Sequence, residues 1–516
     1  MKKLSVLLRN IVVICCILCI CCGGISVGAF TETAFVCESR AYQDGFLEKC
    51  DEVALFSDSG DEAGAKAKLV AAIKNLDASA DISGYSIPVG NMNRLINDVV
   101  NEHPEFYYFN INQTSYTGLS GKVKNVNFTN SYRFSQTEIR DKNERITAEI
   151  NRIIEKVDRE NMSQAEQALV VHDWFALHYE YDTLAAELAG TVGTAEESVA
   201  KAFRIDGLFL DKTAVCQGYA LGYMYVLNKL EIPTIFVTSK AMNHGWNMVK
   251  IGESWYHVDV TWDDPVPDKL GYAYHTNFLR GDTELLMETD HYGWTVLEEA
   301  PTDYPGMFWE NVNSQMIYHG GKWYYKEGAE IACRTFTGTP TTIKEVTDCW
   351  PVAGRPGYYY TEAFFTIGLY NGYIYYNTPT QIRKMSTDGT GDAIVLTPEV
   401  DGKYLYGVMV DGNLLQYAVA EDIVEEEDIT SIELHFTATL EGNQVRIVDR
   451  GSVKAGHRFF VAVYSGNNLL SLEMRTVLAN QTEYTVTPAK LAEGDKIRVF
   501  AWDGMDPSAE YTEIDL

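Results

Sequence analysis

The chain has 516 residues, 46% of them hydrophobic, and a formal net charge of −30 at pH 7. That length exceeds one ordinary domain, and the apolar content exceeds what a disordered chain carries. The acidity leaves no basic surplus to neutralise phosphates, which excludes nucleic acid as the partner.

Residues 1–29 place Lys2, Lys3 and Arg9 before an apolar run from Ile11 and end in Val27-Gly28-Ala29, a small-residue cleavage pattern. They predict an exported protein, extracellular or held at the cell surface. The run of about 20 residues also suits an uncleaved anchor, which would be the chain's contact with a membrane. Of 10 cysteines, those beyond this segment are Cys37, Cys50, Cys216, Cys333 and Cys349. The short intervals predict disulfides Cys37–Cys50 and Cys333–Cys349, leaving Cys216 as the odd thiol.

Residues 30–160 read as a mixed α/β region. Apolar residues recur at helical spacing over 61–76 and 135–157, and PEFYYFNI, 104–111, reads as a strand. Residues 161–300 alternate helix and strand signals. Their first helix starts after Ser163, an N-cap with Glu166 three residues on, the pattern of a capping box. His172 and His178 on that helix read as packing or surface residues.

From 301 to 424 the texture turns to tyrosines, glycines and short alternating strands. Gly321 and Gly372 lie 51 residues apart, each followed by a Tyr-Tyr pair, which predicts a β-meander or a partial propeller-like repeat. DGTGD, 388–392, lacks the spacing of a calcium loop and reads as a turn. The acidic stretch 420–431 reads as a linker, and 430–516 as a β-sandwich of about six strands.

The chemistry concentrates around Cys216. Ala220, Tyr223, Met224 and Leu227 share a helical face, so a helix runs from Cys216 to Leu230 and stops before Pro233. A cysteine at a helix start meets open N–H groups and the positive end of the dipole, which favour a thiolate. Gly218 allows close packing of the first turn. A cysteine that fills a core position is the alternative this local pattern leaves open.

Downstream, 245–251 and 254–262 read as a hairpin with its turn at Gly252-Glu253. That turn pairs the strands so that Asp259 faces Trp246, and His244 lies on the same face one diagonal step away. The chain therefore offers Cys, His and Asp in that order: a nucleophile, a base, and an acid that fixes the base's tautomer. His257 shares the strand face but reads as structural.

AVCQGYA, NHGWNMV and WYHVDVTWDDP resemble the three signature blocks of the transglutaminase-like superfamily, specifically its bacterial secreted branch. The resemblance implies a papain-like α+β core with Cys216 as nucleophile, His244 as base and Asp259 as orienting acid. Papain-like proteases carry an oxyanion glutamine six residues before the cysteine, where this chain has Leu210. Animal transglutaminases use an upstream tryptophan, and the aromatic residues available here are Trp174, Tyr179 and Tyr181. Tyr181 is the candidate hydroxyl donor beside the Cys216 N–H. Trp246 is the cleft candidate, with Trp262, although both also suit core packing. Asp263, Asp264 and Asp268 could attract a lysine substrate or form a solvated loop.

The expected protein is thus a multidomain α+β chain: an N-terminal α/β region, a papain-like transglutaminase-like core, a Tyr-rich β-repeat domain and a C-terminal β-sandwich. Its expected reaction is acyl transfer on protein or peptide amides, with hydrolysis preferred over transamidation. Neither a metal motif nor a phosphate-binding glycine loop occurs, so no cofactor and no metal are expected. A protein or peptide substrate is the expected partner, with cell wall or a surface protein as further partners. A surface protein that binds without catalysis is the rival reading.

Overall fold

The computed structural model describes residues 60–192 and 196–352, most of 355–515, and the backbone of Phe35–Glu38. The export segment and the Cys37–Cys50 pairing lie outside the described residues. No described helix is long and apolar enough to cross a membrane. Two compact units form, residues 1–268 with 274–311 and residues 269–273 with 312–516.

In the first unit, β1 (Phe35–Glu38), β2 (Ser79–Asp81), β3 (Ser115–Leu119) and β4 (Lys122–Asn127) make a sheet in the order β1-β3-β4-β2. Helices α1 (Gly60–Lys74) and α2 (Met92–Glu102) accompany it. The stretch 104–111, expected as a strand, begins instead with a single 3-10 turn, Pro104–Phe106. Proline at its first position supplies the helical φ. Phe106, Tyr107, Tyr108 and Phe109 are all buried, without the alternation that a half-exposed strand requires.

Two long helices start where their sequences predict. Ser135 and Glu138 form the capping box of α3 (Gln136–Ile154), and Ser163 and Glu166 that of α4 (Gln164–His178). α3 buries one stripe, Ile139, Ile146, Ile150 and Ile153, whereas α4 is buried on nearly every side. Next come β5 (Glu180–Tyr181), α5 (Thr183–Val192), α6 (Glu197–Ala200), α7 (Ile205–Asp211) and β6 (Thr213–Ala214). They lead directly into α8 (Cys216–Lys229).

A five-stranded antiparallel sheet follows, built from β7 (Thr234–Ser239), β8 (His244–Ile251), β9 (Ser254–Val258), β10 (Phe278–Arg280) and β11 (Trp294–Thr295). Its order is β10-β9-β8-β7-β11. The β8–β9 hairpin pairs Ile251 with Ser254 and Asn247 with Val258, the register read from the sequence. The second strand, expected to reach Trp262, ends at Val258. Asp259 leaves the ladder because its carboxylate accepts the Trp262 N–H at 3.3 Å and caps a short helix, α9 (Val260–Asp263).

The second unit contains three antiparallel meanders. Strands β12 (Ile317–His319), β13 (Lys322–Glu327), β14 (Glu330–Arg334) and β15 (Thr341–Glu345) form the first. β16 (Ile367–Tyr370), β17 (Tyr373–Asn377), β18 (Ile382–Ser386) and β19 (Ala393–Leu396) form the second. Gly321 and Gly372 occupy matching turns in the first hairpins of these two sheets, both with φ of 80°. The third is β20 (Leu405–Asp411), β21 (Leu414–Val419) and β22 (Val424–Asp428). Much of the acidic stretch expected as a linker is therefore β22, whose Glu425 pairs with Tyr417. DGTGD is a turn, in which Asp388 accepts hydrogen bonds from the backbone and hydroxyl of Thr390. Beyond 430, a three-stranded and a four-stranded sheet share one core that includes Ile447, Phe459, Val461, Tyr484 and Val499.

The expected Cys333–Cys349 disulfide is not formed. Cys333 lies buried on β14 within an apolar cluster, while Cys349 is exposed, so the two thiols occupy different environments.

Candidate functional site

Cys216 opens α8 behind Val215, whose side chain caps nothing. The residue is half-buried and its thiol is unbridged. Two devices aim the residue. Gly218 lets the first turn approach Ala202, and Asn247 of β8 donates its amide to the Ala220 carbonyl of α8 at 3.0 Å. The second bond ties the helix to the strand that starts at His244.

His244 and Asp259 meet as the register predicts: His244 Nε2–H donates to Asp259 Oδ2 at 2.6 Å. Cys216 lies close enough to His244 to contribute to the shift of its pKa. Burial alone would lower the His244 pKa, but the Asp259 charge, the bond to Asp259 and the nearby Cys216 raise it to about 10. Burial would raise the Asp259 pKa, yet His244 first, then His291, hold it well below the usual carboxylate range. His244 and Asp259 are thus directly bonded, with Cys216 near them.

Tyr181 stands beside it. A short parallel bridge pairs Glu180 with Thr213 and Tyr181 with Ala214, two residues before Cys216. Burial pushes the Tyr181 phenol above its ordinary value, and the nearby Cys216 and Asp259 add to the effect. Tyr179 is buried instead, with its hydroxyl on Glu149 at 3.1 Å.

Trp246 does not line a cleft. It is buried, and its indole N–H donates to His257 Nδ1 at 3.0 Å. That acceptor role requires His257 to carry its proton on Nε2, where it donates to Asp282 at 2.8 Å. Trp262 is the exposed one, at 41%, and stacks on His244 with ring centroids 5.3 Å apart.

The acidic run departs from its reading as a solvated loop. Asp263 and Asp264 are buried, and among the three aspartates only Asp268 is exposed. Asp263 accepts from the Asn277 backbone and side chain and from His172 Nε2. His172, expected as packing or surface, is fully buried between Asp263 and Asp173, and Asp173 also receives His275. Asp264 accepts the Tyr219 hydroxyl at 2.6 Å.

One neighbour was not foreseen. His291, on the loop before β11, donates from Nε2 to the same Asp259 oxygen at 2.9 Å. It belongs to no periodic pattern, and nothing local to it in sequence names its partner.

The site thus brings a thiol at a helix start near a histidine and an aspartate at the end of an antiparallel hairpin. Residues 151–260 match the family model described as the transglutaminase-like superfamily. No curated protein matches the chain. Among solved structures, a TGase aligns at 15% identity and a TM-score of 0.22, over 29% of this chain and 44% of its own. The chain therefore spans under half the length of that TGase. The extracellular domain of a one-component system from B. thetaiotaomicron aligns at 10% identity and a TM-score of 0.18, over 52% of this chain and 42% of its own. A computationally designed protein, Ika8, aligns at 7% identity and a TM-score of 0.18, over 52% of this chain and 80% of its own.

Proposed function

We propose that the protein is an exported thiol enzyme that transfers acyl groups from protein or peptide amides through Cys216, His244 and Asp259. The observation that carries this reading is the coupling of His244 to both Asp259 and Cys216 at the start of α8. A binding module needs no such pairing.

In this reading the imidazolium of His244 faces a Cys216 thiolate. The sulfur attacks the amide carbonyl, and the oxyanion forms against the Cys216 N–H and the Tyr181 hydroxyl. Collapse breaks the C–N bond, and His244 gives its proton to the departing amine, leaving a thioester. Water or a second amine then attacks the thioester, giving its proton back to His244 as the thiolate leaves.

Hydrolysis is the preferred outcome. The burial of Asp263 and Asp264 removes two of the three acids that could draw a lysine to the sulfur. A placement outside the cell is supported by the cationic start and apolar run of residues 1–29.

The test is incubation with a glutamine-bearing protein, with and without a labelled amine. Fragments or released ammonia without incorporation, lost in Cys216→Ala, support hydrolysis. Incorporation lost in the same variant establishes transamidation. Unchanged activity in Cys216→Ala overturns the thiol mechanism.

A further inference from the structure

We propose that His291 is a positioning residue for the Cys216–His244 pair and acts through Asp259; this rests on reading Cys216 as the nucleophile. Asp259 presents a single oxygen, Oδ2, to two imidazoles, His244 at 2.6 Å and His291 at 2.9 Å. Its other oxygen accepts the Trp262 N–H at 3.3 Å. A carboxylate held on both oxygens cannot swing, so the lone pair aimed at His244 stays aimed.

His291 is itself fixed. Its Nδ1 lies 2.8 Å from the Thr289 hydroxyl, which also reaches the Leu285 carbonyl of α10 (Asp282–Glu288) at 2.7 Å. Bonds thus run from α10 through Thr289 and His291 to Asp259 and His244, which lies beside Cys216. The ring is fully buried between Trp262, 4.2 Å between centroids, and Trp246, 4.9 Å. Both tryptophans keep water from the shared oxygen, where hydrogen bonds to a charge are strongest.

The second donor fixes Asp259 in the position that takes the His244 Nε2–H, which sets the His244 tautomer and leaves its other ring nitrogen for the proton that goes to the leaving amine. A metal does not explain the cluster as well, although His244, Asp259 and His291 place three ligand atoms within 4.8 Å of one another. Their donors and acceptors already satisfy each other. The titratable groups facing His291 are Asp259 and His244, with His257 also nearby.

The experiment measures Cys216 alkylation by iodoacetamide against pH, read by peptide mapping on the full chain, together with kcat and KM. Glutamine carries its amide nitrogen near the place of histidine Nε2, so His291→Gln keeps the donor. His291→Leu fills space without one, and His291→Asn is polar but too short to reach Oδ2. His291→Leu is expected to lower kcat and Cys216 alkylation about 10–100-fold, as loss of an outer-layer hydrogen bond does elsewhere. KM should change little, and the alkaline limb of the profile should move to lower pH as the His244–Asp259 bond loosens. His291→Gln should recover most of both rates. If His291→Leu does not fold, His291→Asn is expected to show the same losses. Wild-type rates and profile in these variants, or His291→Gln as impaired as His291→Leu, overturn the proposal. If His244→Ala also leaves Cys216 alkylation unchanged, the nucleophile reading has failed and this inference fails with it.

Discussion

A Cβ on Gly218 would lie 2.5 Å from the carbonyl oxygen of Ala202. That oxygen is not free to retreat, since it accepts the Val215 N–H at 2.9 Å, and Ala214 Cβ crowds the same position at 2.7 Å. The start of α8 is therefore set by the absence of a side chain two residues after Cys216. Gly218→Ala is expected to cost about 1–3 kcal/mol in denaturant unfolding, the ordinary penalty of overpacking. Because the displaced element carries Cys216, kcat should fall more than the loss of folded protein accounts for. Wild-type stability and rate in this variant would mean that the helix start has room to spare.

Tyr181 gives a second outcome. Its pairing with Ala214 brings the phenol beside Cys216 without a hydrogen bond to the sulfur being needed. If the hydroxyl helps hold the oxyanion, Tyr181→Phe should lower kcat by roughly 10²-fold, as loss of one such donor does. KM should be nearly unchanged, because the charge it meets exists only in the transition state. An unaltered kcat would leave the Cys216 N–H as the donor and Tyr181 as a packed aromatic.

What was legible in the sequence was legible for local reasons. Ser135 and Ser163 announce helix starts because the capping partner lies three residues on. The β8–β9 register follows from a two-residue turn, and with it the approach of His244 to Asp259. What was not legible depends on distant partners. His291 finds Asp259 across 32 residues, and His172 finds Asp263 across 91. Val424–Asp428 reads as a solvated linker because four acids run together in it, yet its backbone completes a sheet with β21. The helical turn after Asp259 was hidden because the β-rich run into Trp262 outweighed one capping carboxylate.

Asp264 makes stability fall as pH rises from about 4 to about 8. Burial pushes its carboxyl up to about 8, and the Tyr219 hydroxyl, which opposes the shift, does not cancel it. A folded pKa raised above the unfolded value of about 3.9 favours the protonated form. The resulting stabilisation is fully present below that unfolded value and is lost as pH rises through about 8. Asparagine cannot ionise, so Asp264→Asn should gain on the wild type steadily between pH 4 and about 8. Melting temperatures of both proteins across that range check it. A constant difference between them would contradict the buried, protonated state.

His172 acts over a later window, and its environment is different in kind. Burial would lower its pKa, but hydrogen bonds to Asp173 and Asp263, and their charges, raise it to about 9. The ring sits 3.1 Å from each carboxylate, fully buried, with the His275 ring 5.2 Å away sharing Asp173. The protonated imidazole is thus the glue between α4 and the turn at Asp263. With an unfolded pKa of about 6.5, its contribution is complete below that pH and disappears as pH climbs through about 9. His172→Gln keeps donors but not the charge, and leaves two buried carboxylates facing a neutral group, so it should be strongly destabilised at pH 6, by roughly 3–5 kcal/mol. The difference from wild type should shrink as pH passes 9. Denaturant unfolding of both proteins at pH 6, 8 and 10 separates this from a packing defect, which would leave the difference the same at all three.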